Sequence, residues 1–257
     1  MNQSCRTEQL CNGQSPRDTV IADDTFLNMH RRHSILFFVT FVLTVASQTT
    51  TKADSIVSFK RGKATVNLDI NEVPELKEWG TNAAGLALEW HPRICNLLAT
   101  KDVTPPKTVT LRIIKSEKGI ASTQGTTITV SSHWIEKHPE DIGLVIHELV
   151  HVIQGYPDGT PFWITEGIAD YIRRAIFEGQ PQDFFPIPRQ DNAYLQGYNT
   201  AAGFLFWLES DRGPGIVKSL NSMARNGEYK DTLFVEKTGQ PLEALWSEYA
   251  KEHSSNR

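Results

Sequence analysis

Hydrophobic residues recur along this chain first with the period of strands and then with the period of helices. Residues 54–70 read as one or two short strands, centred on 56–59 and 64–68. From Val73 to Ala99, Leu76, Trp79, Ala83, Leu86, Leu88 and Trp90 repeat at helical spacing, with His91-Pro92 as a break or bend. Pro105-Pro106 forces an extended entry into residues 108–114, where Val109, Leu111 and Ile113 alternate. Residues 119–130 carry a second strand signal: Thr126, Thr127, Ile128, Thr129 and Val130 are all β-branched, and Gly125 marks a bend before them. After Ser132 the pattern turns helical, near 134–137, 140–154, 161–177, 194–210, 213–224 and 241–252. Strands first and helices later predict an α+β fold, in one domain over residues 54–257.

The first 53 residues stand apart from this pattern. Residues 1–28 are polar and patternless. Met29-His30-Arg31-Arg32-His33 then precedes an apolar run from Ile35 to Ala46. That run is too short to span a bilayer comfortably. A basic flank, a short apolar stretch and small or polar residues after it read as a secretory signal, cut after Ser47 or Ala53. Met29 is an alternative start. The expected location is therefore secreted or periplasmic; the alternative is a membrane anchor if the segment stays uncleaved. Cys5 and Cys11 fall in this lead, so Cys95 has no partner for an internal disulfide and reads as a small buried hydrophobe.

Charge narrows the partners. The net charge is −4, and the chain stays acidic without its lead, so no basic face for nucleic acid is expected. Oligomeric state is left open.

The candidate chemistry lies in His147-Glu148-Leu149-Val150-His151. Residues i and i+4 share one helix face, so both imidazoles can point at one ion. Ile142, Leu144, Val145, Ile146, Leu149, Val150, Val152 and Ile153 surround them, so this helix is buried on most sides. Polar groups buried there need partners. Gly155 suits the helix end, 156–159 is turn chemistry, and Thr160 is placed to cap a second helix with Pro161 at its first position. A short loop of this kind favours antiparallel neighbours.

Counting depth from the turn makes a specific prediction. At 1.5 Å per residue, His151 lies about 6 Å down its helix and Glu166 about 7.5 Å down the next. His147 and Asp170 lie about 12 and 13.5 Å down. The levels match, so Glu166 can reach a metal as third ligand and Asp170 can hold the far nitrogen of His147. Taken alone, Asp170 is equally a partner for Arg173 or Arg174. Two His, one Glu and a fourth position left for water form a catalytic shell for one Zn2+. Glu148 is then the general base, taking a proton from that water and passing it to a departing amine. The expected partner is a peptide or protein, and the reaction metal-assisted peptide hydrolysis. His133 and His138 lack ligand spacing, and His91 reads as a turn residue.

Two other readings share this shell. One is a catalytically silent module that binds cell-wall material or protein on a peptidase scaffold. The other is a zinc amidase acting on cell-wall peptides.

Residues 145–154, Trp163-Ile164-Thr165-Glu166-Gly167-Ile168-Ala169-Asp170-Tyr171-Ile172-Arg173, and Gly197-Tyr198-Asn199-Thr200-Ala201-Ala202-Gly203-Phe204-Leu205 together resemble the plant basic secretory protein family and its bacterial relatives. The resemblance spans about residues 55–250. Glu166 with Asp170 also resembles the Glu-ligand branch of zincin peptidases, while Gln154 and Pro157 occupy the places of the Gly and His in the three-histidine branch. The acidic chain departs from the family's basic character. The resemblance implies a zincin-like fold, with a small twisted sheet over the active-site helix and an edge strand lining the cleft. Substrate would add to that edge as a strand. Thr126, Thr127, Ile128, Thr129 and Val130 are the expected substrate-binding edge. The family also implies an oxyanion helper, for which Tyr198 is the candidate; the alternative for Tyr198 is packing on the core at a helix start.

Overall fold

A computed structural model of the protein describes residues 56–254, with 102 and 189 excepted. The signal-like run from Ile35 to Ala46, both cleavage candidates, Cys5 and Cys11 lie outside the described residues. Among the described residues, no helix is long and apolar enough to cross a membrane.

Five strands form one sheet: β1 (Ile56–Arg61), β2 (Ala64–Asp69), β3 (Thr108–Ile114), β4 (Ala121–Gln124) and β5 (Thr127–Ser131). Their order across the sheet is β1-β2-β3-β5-β4. The outer pairs are antiparallel, and β2–β3 and β3–β5 are parallel. Alternation along the strands buries one face. Ala64, Val66 and Leu68, then Val109, Leu111 and Ile113, then Ile128 and Val130 all point inward. Against that face pack α1 (Lys77–Leu97) and α3 (Leu144–Gln154). The helical half follows: α2 (Ser132–Lys137), α4 (Phe162–Asp170), α5 (Tyr198–Trp207), α6 (Ile216–Arg225), α7 (Thr232–Thr238) and α8 (Leu242–Ser254). The fold is α+β, with a five-stranded sheet lying over α1 and α3 and a helical half after it.

Several local expectations need correction. The predicted substrate edge at Thr126, Thr127, Ile128, Thr129 and Val130 is not an edge. β5 is hydrogen-bonded to β3 on one side and β4 on the other, so its main chain has no free row of groups to offer. The two edges are β1 and β4, and the one next to this run is β4, joined to β5 through a turn at Gly125 with φ +58°. Helix α1 runs through Pro92 without ending. His91 is therefore helical and buried, its Nε2 2.7 Å from the Pro106 carbonyl. Thr160 does not cap α4; its hydroxyl turns back to the Pro157 carbonyl at 2.9 Å. Both long helical segments loosen into wide π-type turns at their ends, Tyr171–Phe177 and Leu208–Arg212. Cys95 is only partly buried and free, 3.7 Å from His91 Nδ1.

Candidate metal centre

Helix α3 is apolar on nearly every side, and all its residues except His151 are buried. It ends at Gly155, which takes the left-handed conformation (φ +52°, ψ +40°) and sends its N–H back to the His151 carbonyl. Residues 156–161 then reverse the chain into α4. The carbonyl end of α3 is held from outside. Arg225 on α6 donates to the Gln154 carbonyl at 3.0 Å and the Ile153 carbonyl at 2.5 Å, placing a cation where the helix dipole is negative.

The reversal brings the predicted groups together. His147 Nε2 lies 3.0 Å from His151 Nε2 and 3.2 Å from Glu166 Oε2, and His151 Nε2 is 3.5 Å from the same oxygen. Among the described residues, these three form a group able to hold a metal ion. The spacing is a test of fit. Ligand atoms about 2.0–2.1 Å from a tetrahedral zinc sit roughly 3.3 Å from one another, and the three observed separations bracket that value. The donor set of two imidazoles and a carboxylate also suits zinc.

Behind the rings, each second nitrogen is engaged. His147 Nδ1 is 2.7 Å from Asp170 Oδ1. Asp170 is thus not the partner of Arg173, which pairs with Asp141 and Glu178, nor of Arg174, which pairs with Glu178. His151 Nδ1 is 2.8 Å from Gln154 Oε1, and the amide nitrogen of Gln154 donates to the Thr165 carbonyl at 3.0 Å. This relay across both helices was not anticipated. Its signal was present in the sequence, since residues three apart on a helix face one another.

The charges have consequences for protonation. Burial alone would depress the His147 imidazole, but hydrogen bonds to Asp170 and Glu166 outweigh it and lift the group to about 9. Burial would raise the Glu166 carboxyl, but its hydrogen bonds with both imidazoles pull it down to about 2. The cluster thus holds a proton that a cation would replace.

These residues form the floor of a cleft of about 970 Å³. Ala121, Ser122 and Thr123 of β4 line it, as do Tyr198 and Asn199. Glu148 faces the cleft, with the Thr123 hydroxyl 2.7 Å from its Oε2. Tyr198 does not pack in the core. It is 50% exposed, and its ring lies nearly parallel to His147 at 6.2 Å. Its φ is +46°, uncommon for a bulky residue, and it follows Gly197 at φ +74°, where a Cβ would meet Phe162 at 2.7 Å. Burial, then the charges of Glu166, Asp170 and Glu148, push the Tyr198 phenol up, so it keeps its proton near neutral pH. His133 and His138 take no part in the metal-binding group.

Comparison with known proteins gives the family. A family model described as "Peptidase of plants and bacteria" (BSP) matches residues 87–249, more than half the chain. The chain belongs to the BSP peptidase family. The BSP match includes α3, α4 and α5 but begins inside α1, leaving β1 and β2 outside it, whereas the resemblance read from the sequence began near residue 55. No curated protein matches the chain. Among solved structures, similarity is found to an M1 zinc metallopeptidase from Deinococcus radiodurans, with a TM-score of 0.48 and 15% identity over 76% of this chain and 49% of that one. The chain spans about half the length of that enzyme.

Proposed function

We propose that this protein is a zinc-dependent peptidase with its ion on His147, His151 and Glu166 and with Glu148 as general base. The observation that carries the reading is the convergence of two imidazole nitrogens and one carboxylate oxygen at tetrahedral spacing on the floor of an open cleft. Zinc there would supply Lewis acidity, acidifying a water and polarising a peptide carbonyl. Glu148, one residue from His147 and facing the same cleft, takes the proton from the attacking water and delivers it to the departing amine. Tyr198 donates from its protonated phenol to the negative charge developing on the carbonyl oxygen. Asp170 and Gln154 fix which nitrogen of each imidazole is free to bind the ion.

The substrate lies along β4. The Ser131 N–H donates to the Ile120 carbonyl at 2.9 Å, which sets the alternation of this antiparallel pair. Residues 120, 122 and 124 thus turn their main-chain groups toward β5, and Ala121 and Thr123 turn theirs to the open side. An extended peptide can pair with them. From the apolar run at Ile35 to Ala46, we infer that the domain beginning near residue 54 is exported; amino-terminal sequencing of protein recovered outside the cell tests this.

Elemental analysis for zinc, joined to peptide hydrolysis, tests the function. Wild-type protein should carry one zinc and cleave peptides. His147→Ala should lose both properties, and Glu148→Gln should keep the metal and lose the activity. A Glu148→Gln protein with undiminished activity would overturn the assignment of the base, and a wild type without stoichiometric metal would overturn the centre.

A further inference from the structure

Both imidazoles are held from within the α3–α4 pair, but Glu148 is met from the sheet. Thr123 stands on β4 opposite Ile128 and directs its side chain toward α3. Its Oγ1 is 2.7 Å from Glu148 Oε2 and 3.0 Å from the main-chain oxygen of the same residue. A hydroxyl has one proton to give, and the shorter contact, to the carboxyl oxygen, is the one that takes it. Threonine is stiff at χ1, so a strand that holds its backbone also aims its hydroxyl. One oxygen of Glu148 is thereby occupied, leaving the other for a proton from the cleft.

We propose that Thr123 is a positioning residue that holds the carboxylate of Glu148 in place for proton transfer, tying the general base to the strand on which the substrate lies. This rests on the peptidase reading. The simpler alternative is that Thr123 only tethers β4 to the α3 backbone through the 3.0 Å contact.

Four variants separate these roles: Thr123→Val, which keeps the shape and loses the hydroxyl, Thr123→Ser, which keeps the hydroxyl, Glu148→Gln, and Glu148→Ala. Thr123→Val should lower kcat about tenfold, the size of one hydrogen bond to a charged group, with KM and zinc content unchanged. Thr123→Ser should restore most of that rate. In a Glu148→Gln background, Thr123→Val should cost no further activity. Thermal unfolding gives a readout independent of turnover: the shifts from Thr123→Val and Glu148→Ala should overlap, so that the double variant melts higher than their sum requires. Additive shifts, an unchanged kcat in Thr123→Val, or a rise confined to KM would each overturn the proposal. If the shifts overlap while zinc-loaded wild type cleaves no peptide, the peptidase reading falls and takes the positioning role with it, though the Thr123–Glu148 contact stands; the two failures are thus distinct.

Discussion

The floor and the rim of the cleft differ in how their hydrogen-bonding capacity is used. On the floor nearly everything is spent. Asp170 holds His147, Gln154 holds His151, Thr165 holds Gln154, and Arg225 holds the end of the helix that carries them. On the rim much is open. Tyr198 is half exposed in a strained backbone, and Ala121 and Thr123 face main-chain groups away from the sheet. A satisfied floor resists movement and suits an ion, whose ligands must be held before it arrives. An unsatisfied rim suits an incoming chain able to supply the missing partners. Perturbing the floor should change metal binding, and perturbing the rim should change turnover or substrate affinity with the metal in place.

The largest effect expected on the rim is that of Tyr198→Phe. Loss of one donor to a developing oxyanion costs about a hundredfold in kcat. Zinc content should not change, because the phenol is not among the converging ligand groups. Since the ring stays and only the hydroxyl goes, packing against Phe162 at 5.5 Å should survive. A Tyr198→Phe protein with normal kcat would reduce this residue to a wall of the cleft.

On the floor, Asp170→Asn should weaken zinc binding about tenfold to a hundredfold, as losses behind a ligating histidine generally do. The same bond makes a pH prediction for the metal-free protein. His147 is raised from 6.5 to about 9 in the fold, so its contribution to stability is complete below pH 6.5 and is lost as pH climbs through 9. Glu166 is lowered from 4.5 to about 2, so its contribution is present above pH 4.5 and is lost as pH falls toward 2. The metal-free Tm should therefore decline from pH 6.5 to 9, and Asp170→Asn should flatten that decline by removing the principal partner that raises His147. A Tm that increases across this range would contradict the protonation of the cluster.

The floor was legible in the sequence for a physical reason. Helical rise and periodicity are local, so two helices joined by a seven-residue turn place His151 beside Glu166 and His147 beside Asp170 by counting alone. The rim was not. Which strand ends a sheet depends on pairing between segments far apart in the chain. The β-branched run at residues 126–130 is well suited to a strand, and for that reason it lies in the interior of the sheet, flanked by β3 and β4. The short polar edge, Ala121–Gln124, has little strand signal of its own. Thr123 went unnoticed with it. Arg225 carries no local mark at all, because its role depends on α6 crossing the end of α3. Gln154 is the intermediate case: its contact is local to α3, but its value depends on Thr165 from the next helix.

The smallest effect concerns the open edge itself, and it sharpens the contrast within β4. Proline removes an N–H, which an edge strand tolerates where that N–H faces away from the sheet. Ala121 is such a position, and Ser122, paired with Thr129, is not. Ala121→Pro should leave Tm and zinc content near wild type and raise KM a few-fold, about the loss of one net hydrogen bond of roughly 1 kcal/mol. Ser122→Pro should instead lower Tm, because it breaks a bond to β5. If both prolines lower Tm alike, the assignment of inward and outward groups on β4 is reversed, and the peptide must lie elsewhere in the cleft. If Ala121→Pro changes neither KM nor Tm, the edge faces the cleft without touching the substrate, and substrate recognition falls to other lining residues such as Tyr198.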